Sequence, residues 1–419
     1  MKKLQKMTTM TFKNKWNRLA AVLFMAATIT LMSCEKDPDE IVDEFGININ
    51  DLYGKWSFTG ETEVVTDASG TIVEEETKQF AHNMMTIEFN ENQTFQFIDV
   101  ESVEWGDGSI SVDDAENNVD LNFDTESTTF HIVSMSSTTA EIEIVEEETE
   151  DGQVFTTTST IQLTKNSGTE PGIEMANLWT KWSMGSNDIY INDVLITADL
   201  LEGLWMETVS TIDDDMYTLE LNANNTALSI DNYMTGTYSE GEVEFLDKSN
   251  YVVELDGYEE PFLFHITAND GNGGMTVIHF IPMEQVNVKV EQEWTNVFDE
   301  STLDANLLAG DWEVTAKTDG REVNGSVATP EGEGPEVGNI LKFYSNGSGE
   351  FGQDQFTFTF LDDSNMSLIS AGETEYTLIH FVSFNGTNEM TVWNMYSEYN
   401  ETTGAFEQEW LQMDLVKQE

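Results

Sequence analysis

The sequence predicts an all-β chain of three tandem antiparallel modules, each a small barrel or sandwich of about eight short strands. Three observations carry this reading. Leu52-Tyr53-Gly54-Lys55-Trp56 returns as Leu201-Glu202-Gly203-Leu204-Trp205 and as Leu308-Ala309-Gly310-Asp311-Trp312, each time opening a run of strands. A hairpin also recurs: Phe130-His131-Ile132-Val133, Phe264-His265-Ile266-Thr267 and Ile379-His380-Phe381-Val382 each lead through a polar turn into another alternating strand. Finally, 39% hydrophobic and 11% aromatic residues over 419 positions are enough for packed cores.

Taken in order, the chain opens on a secretory leader, residues 1–33. Lys2, Lys3, Lys6, Lys13, Lys15 and Arg18 precede an apolar run from Leu19 to Met32 that is too short to span a bilayer. The run ends in Leu31-Met32-Ser33-Cys34, which resembles the lipobox of bacterial lipoproteins. That resemblance implies cleavage before Cys34 and lipidation of its side chain, and hence anchoring to the membrane through acyl chains. Cys34 is the sole cysteine, so an intramolecular disulfide and a metal–thiolate cluster are both excluded. Residues 34–49 form an acidic tether. Its Glu35-Lys36-Asp37-Pro38-Asp39-Glu40 resembles the export signal of Bacteroidota-type lipoproteins, implying an outer-membrane, surface-exposed location.

Charge narrows the partners. Asp and Glu total 79 against 17 Lys and Arg, for a net −62. Six of those bases lie in the leader, so its removal makes the balance −68. Such acidity argues against nucleic acid and against an anionic lipid surface.

Module 1 is expected over 50–165. Its Met85-Thr86-Ile87-Glu88-Phe89, polar turn and Thr94-Phe95-Gln96-Phe97-Ile98 alternate with period two. A linker is expected over 166–199, starting with Asn166-Ser167-Gly168-Thr169-Glu170-Pro171-Gly172. Module 2 is expected over 200–298, where Tyr217–Leu221 and Thr226–Ile230 repeat the first hairpin. Module 3 is expected over 299–419, entered through a capping box, Ser301-Thr302-Leu303-Asp304, and a helical turn.

A helical turn followed by Gly-x-Trp on the first strand resembles the opening of lipocalins. The resemblance implies three lipocalin-like barrels of about eight strands, each with a mouth for a small apolar molecule or a glycan. Lipocalins commonly stack a last-strand arginine on that tryptophan. Arg321 is the one arginine left after the leader, so Lys165 and Lys417 are the nearest substitutes, and module 2 offers only Lys289.

Trp56, Trp205 and Trp312 are expected to close the barrels as core residues. His131, His265 and His380 occupy one equivalent position, one per module, so zinc convergence is not expected. The acidic runs Asp113-Asp114, Glu146-Glu147-Glu148 and Asp213-Asp214-Asp215 read as solvated loops, because none has calcium-loop order. No nucleophile elbow, zinc-protease or phosphate-loop motif is present, and no enzyme, cofactor or metal is expected. The leading expectation is a non-enzymatic binder of a small apolar ligand or glycan. The alternative is a spacer with filled barrels that docks a partner cell-envelope protein. A flat glycan-binding face would expose tryptophans, the candidates being Trp105, Trp179, Trp182, Trp294, Trp393 and Trp410.

Overall fold

Alternation builds the strands, and pairing closes them into rings. The computed structural model describes residues 49–418, except 82, 114–115, 124–126, 151–152, 192–193, 196–216, 233–235, 259, 272, 284–285, 298–303, 324–325, 329–334 and 401–404. The leader, Cys34, the tether up to residue 48, His82, Trp205 and its motif, and the acids at 213–215 thus lie outside the described residues.

Barrel 1 follows the helical turn α1 (Ile49–Leu52). It contains β1 (Gly54–Asp67), β2 (Ile72–Gln79), β3 (Met85–Phe89), β4 (Thr94–Asp99), β5 (Glu104–Asp113), β6 (Asn118–Asn122), β7 (Ser127–Met135), β8 (Thr139–Glu150) and β9 (Gln153–Lys165). β3 to β9 pair in sequence order, β1 pairs with β3, and β1 pairs back with β9. Eight antiparallel strands therefore close an up-and-down barrel. β2 is the ninth strand and pairs only with the far half of β1, Gly60 to Thr66.

Barrel 2 repeats this after α2 (Met175–Leu178). Its strands are β10 (Lys181–Ile191), β11 (Val194–Leu195), β12 (Tyr217–Leu221), β13 (Thr226–Asp231), β14 (Thr237–Phe245), β15 (Asn250–Leu255), β16 (Phe262–Asn269), β17 (Gly274–Met283) and β18 (Val286–Asn296). Barrel 3 follows α3 (Ala305–Leu308) with β19 (Gly310–Val323), β20 (Ser326–Ala328), β21 (Ile340–Tyr344), β22 (Ser348–Phe351), β23 (Asp354–Phe360), β24 (Asn365–Ser370), β25 (Thr377–Phe384), β26 (Glu389–Asn400) and β27 (Ala405–Lys417). β10 closes on β18 and β19 on β27.

The start of the second module corrects the sequence reading. The stretch expected as linker, 166–199, contains α2 and β10, and β10 pairs with both β12 and β18. The barrel-end tryptophan of this copy is Trp182. Trp56, Trp182 and Trp312 are then spaced by 126 and 130 residues, close to an even repeat.

Each interior is one continuous cluster of buried side chains. Barrel 1 packs Trp56, Phe58, Phe89, Phe95, Phe97 and Phe130 among aliphatic residues. Barrel 2 packs Trp182, Trp294, Tyr251 and Phe264, and barrel 3 packs Trp312, Phe343, Phe356, Phe358 and Phe381. Barrel 1 forms one compact unit, and barrels 2 and 3 form a second that begins at Pro171. Among the described residues no helix is long and apolar enough to cross a membrane.

Candidate functional site

The helical turn before each first strand ends in leucine, and that leucine fixes the tryptophan. The indole N–H of Trp56 donates to the Leu52 carbonyl at 2.7 Å, Trp182 to Leu178 at 3.0 Å and Trp312 to Leu308 at 2.7 Å. All three rings are buried, each with its one polar atom satisfied.

Two barrels add a lysine from the last strand. Lys165 Nζ lies 5.1 Å from the Trp56 ring and donates to Asp51 O at 2.9 Å. Lys417 Nζ lies 5.4 Å from the Trp312 ring and donates to Leu307 O at 3.1 Å. Each lysine crosses its barrel end against a glycine. A Cβ on Gly54 would meet Lys165 Cε at 2.9 Å, and one on Gly310 would meet Lys417 Cε at 2.4 Å. Barrel 2 makes a different pair. Asn296 stands opposite Trp182, where Lys165 stands opposite Trp56, and Thr180 takes the glycine position. Thr180 Oγ1 donates to Asn296 Oδ1 at 3.2 Å. Glycine and lysine are thus exchanged together for threonine and asparagine. Lys289 instead lies over Tyr190, 3.8 Å from the ring centre.

The three equivalent histidines each face an asparagine across a strand pair. His131 Nδ1 is 3.2 Å from Asn118 Oδ1, His265 is 2.8 Å from Asn250, and His380 is 3.0 Å from Asn365. In barrels 2 and 3 the asparagine amide donates in turn to both oxygens of Asp247 or Asp362. The Asp–Asn–His chain is a signal the sequence carries as Leu-Asp-x-Ser-Asn at 246–250 and 361–365. Reading the histidines alone misses it.

Barrel 3's chain is where barrel 2 docks. Lys181 Nζ reaches Asp362 Oδ2 at 3.1 Å, with side chains 7% and 2% exposed. Asn232 Nδ2 donates to Asn365 Oδ1 at 2.6 Å, and Trp393 Nε1 donates to the Asn232 carbonyl at 3.1 Å. The Tyr238 N–H donates to the Tyr376 hydroxyl at 3.1 Å, and the two rings lie 4.7 Å apart. Beside this seam is a cleft of about 470 Å³ lined by Trp179, Lys181, Glu220, Asn222, Val297 and Asp363 among others. Burial raises the Glu220 pKa, Asp362 adds to the rise and Lys181 opposes it.

The acidic run at 146–148 is not a loop. Glu146, Glu147 and Glu148 lie on β8, opposite Thr157, Thr156 and Phe155 of β9. Together with β2 and the far half of β1 they form a four-stranded apron beyond the barrel. The apron face that continues the barrel interior carries Glu61, Glu63, Glu146 and Glu148. Burial, with Glu63 and Glu148 nearby, lifts the Glu146 carboxyl to about 7. In barrel 2, burial alone lowers His279 to about 4, edge-on to Phe262 and Phe264. Among the described residues no three His, Cys, Asp or Glu side chains are arranged to hold a metal.

The tryptophans proposed for a flat face are dispersed. Trp182 and Trp294 are in the core of barrel 2, Trp179 lines the cleft, and Trp393 stacks on Trp410 with ring centres 5.1 Å apart.

No family model and no curated protein matches the chain. Among solved structures, it is similar to a transferrin binding protein B mutant from Haemophilus parasuis, at 8% identity over 87% of this chain and 76% of that one, TM-score 0.19. The corresponding protein of Neisseria meningitidis gives 11% identity, coverages of 87% and 77%, and TM-score 0.19. A family 43 glycoside hydrolase, YxiA of Bacillus licheniformis, gives 9%, 80%, 96% and 0.17. Likenesses this slight carry no argument about what the chain does.

Proposed function

We propose that this chain is a non-enzymatic lipoprotein, anchored in the outer membrane through acyl chains on Cys34, that docks a partner cell-envelope protein through the outside of solid barrels. The observation that carries this reading is the filling of the interiors. An eight-stranded barrel is just wide enough for side chains or for one small ligand. Here the aromatic residues that would line a cup touch one another instead. Phe343, Phe356 and Phe358 lie 5.5 to 6.5 Å apart, and Trp294 packs against Trp182, Tyr251 and Phe264 at 5.2 to 6.5 Å. Native mass spectrometry of the protein from its producing cells tests this. The expected mass is that of the acylated chain alone. A stoichiometric apolar passenger, released on denaturation, would overturn the solid-barrel reading. Cys34→Ser tests the anchor, with the chain expected to leave the membrane fraction.

The cleft at the seam supports a second reading, recognition of a glycan. A partly buried Trp179 beside Lys181, Glu220, Asn222 and Asp363 offers a ring face and several hydrogen-bonding groups. Trp179→Ala would then abolish any oligosaccharide-induced change in tryptophan fluorescence. No change with the unmodified chain across a panel of charged and neutral oligosaccharides would dismiss it.

A further inference from the structure

Each barrel's first strand opens with a charged residue that faces an opposite charge across the sheet. Lys55 of β1 stands opposite Glu88 of β3, Lys181 of β10 opposite Glu220 of β12, and Asp311 of β19 opposite Lys342 of β21. One cation thus faces one acid in every copy. In barrel 2 the seam upsets this balance. The Lys181 ammonium pairs with Asp362 of barrel 3 at 3.1 Å, with both side chains buried. Asp363, the next residue of that loop, lines the cleft together with Glu220. Asp362, Asp363 and Glu220 therefore share one ammonium. Burial holds the Glu220 carboxyl above its usual range, with Asp362 and Asp363 adding to the rise and Lys181 opposing it.

The space beside these acids fits a molecule. The cleft of about 470 Å³ falls within the range of small-ligand sites, about 300–1,000 Å³. Trp179 and Leu221 give it apolar lining, and Thr180 and Asn222 give it neutral hydrogen-bonding groups. Among the described residues no three His, Cys, Asp or Glu side chains are arranged to hold a metal, so the cation that completes this site is organic.

We infer that the cleft binds a glycan through a protonated amino sugar, its ammonium between Glu220 and Asp363 and its ring beside Trp179. This deepens the glycan reading of the cleft and rests on it. An ammonium there returns to Glu220 the cation that Asp362 has taken. Hydrogen bonds between charged partners are about twice as strong as neutral ones, and an N-acetylated sugar of the same ring offers only the neutral kind.

The overall acidity of the chain attracts any cation, and paired ligands and variants separate that field from the site. Isothermal titration calorimetry of the full chain, in mildly acidic buffer at physiological salt, compares a fully deacetylated chitosan tetrasaccharide with the fully acetylated chitin tetrasaccharide. The deacetylated ligand is expected to bind about tenfold tighter or more. Glu220→Gln and Asp363→Asn should each lower that affinity about tenfold. Glu74→Gln, which neutralises an exposed acid on β2, should leave it unchanged. Equal affinity for the two tetrasaccharides overturns the amino-sugar inference and leaves the glycan reading standing. Binding of neither overturns both. Affinity for the deacetylated ligand that survives both cleft substitutions overturns the inference as attraction to the acidic surface alone. Tighter binding of tetralysine, lost in the same two variants, overturns the sugar and makes the cation a basic side chain of a protein.

Discussion

At the scale of single residues, the glycine of the Gly-x-Trp repeat is tied to a lysine in two of the three barrels. Gly54 and Gly310 have φ of 116° and 145°, and the last-strand lysine lies directly against each. Gly310→Ala is expected to cost about 1–3 kcal/mol in chemical denaturation, from backbone strain and from pushing Lys417 off its carbonyl. Adding Lys417→Ala should make the second change cheaper than it is alone, because the clash has gone. This coupling also hides the second copy in the sequence. Copy 2 has Asn296 where the others have lysine and Thr180 where they have glycine, so Gly203-Leu204-Trp205 matches the repeat better than Thr180-Lys181-Trp182 does. His279 gives a second test. Burial lowers its pKa from 6.5 to about 4, so the unfolded chain takes up a proton first. The stability it contributes is fully present above pH 6.5 and lost as pH falls through 4. The shift corresponds to about 3 kcal/mol. His279→Phe should flatten barrel 2's stability between those pH values, read by denaturant melts across the range.

At the scale of elements, the hairpins were legible and the apron was not. β3 and β4 alternate because one face meets a core: Ile87, Phe89, Phe95 and Phe97 are buried. The far halves of β1, β8 and β9 lie beyond the packed core with their residues half-buried or exposed, so Glu146-Glu147-Glu148 and Thr156-Thr157-Thr158 carry no apolar alternation. Only pairing to a neighbour makes them strands. The apron brings Glu61, Glu63, Glu146 and Glu148 onto one face. Glu146 binds its proton more tightly folded than unfolded, its pKa rising to about 7. Its contribution is therefore present below about pH 4.5 and lost as pH rises through 7. Glu146→Gln should raise the melting temperature of barrel 1 at pH 8 and leave it nearly unchanged at pH 4, as followed by scanning calorimetry. Equal effects at both pH values would show that the carboxyl is already ionised at pH 4.

At the scale of the molecule, three copies of one barrel were readable from sequence, but not which of them join. A repeat announces its fold through residues shared by every copy, whereas a seam is made by residues that only some copies have. Lys181 lies in the stretch that reads as linker, and its ammonium meets Asp362 of the next barrel with both side chains buried. Ion pairs this far from water contribute little net stability, but removing one partner strands the other, at a cost of about 3–5 kcal/mol. The prediction separates that penalty from packing. Asp362→Ala should leave Lys181 buried without its carboxylate and lower the transition of the barrel 2–barrel 3 unit, while the transition of barrel 1 stays in place. Lys181→Met combined with Asp362→Leu removes both charges at similar volume and should recover most of the loss. Calorimetry of the full chain reads both units in one scan. If Asp362→Ala shifts neither transition, the seam contributes nothing to folding, and barrels 2 and 3 would unfold as independent bodies. If the single and double variants are equally destabilised, the seam depends on the hydrogen bonds among Asp362, Asn365 and Asn232 rather than on charge. That outcome would make the Leu-Asp-x-Ser-Asn loop, and not the lysine, the element that fixes how these two barrels join.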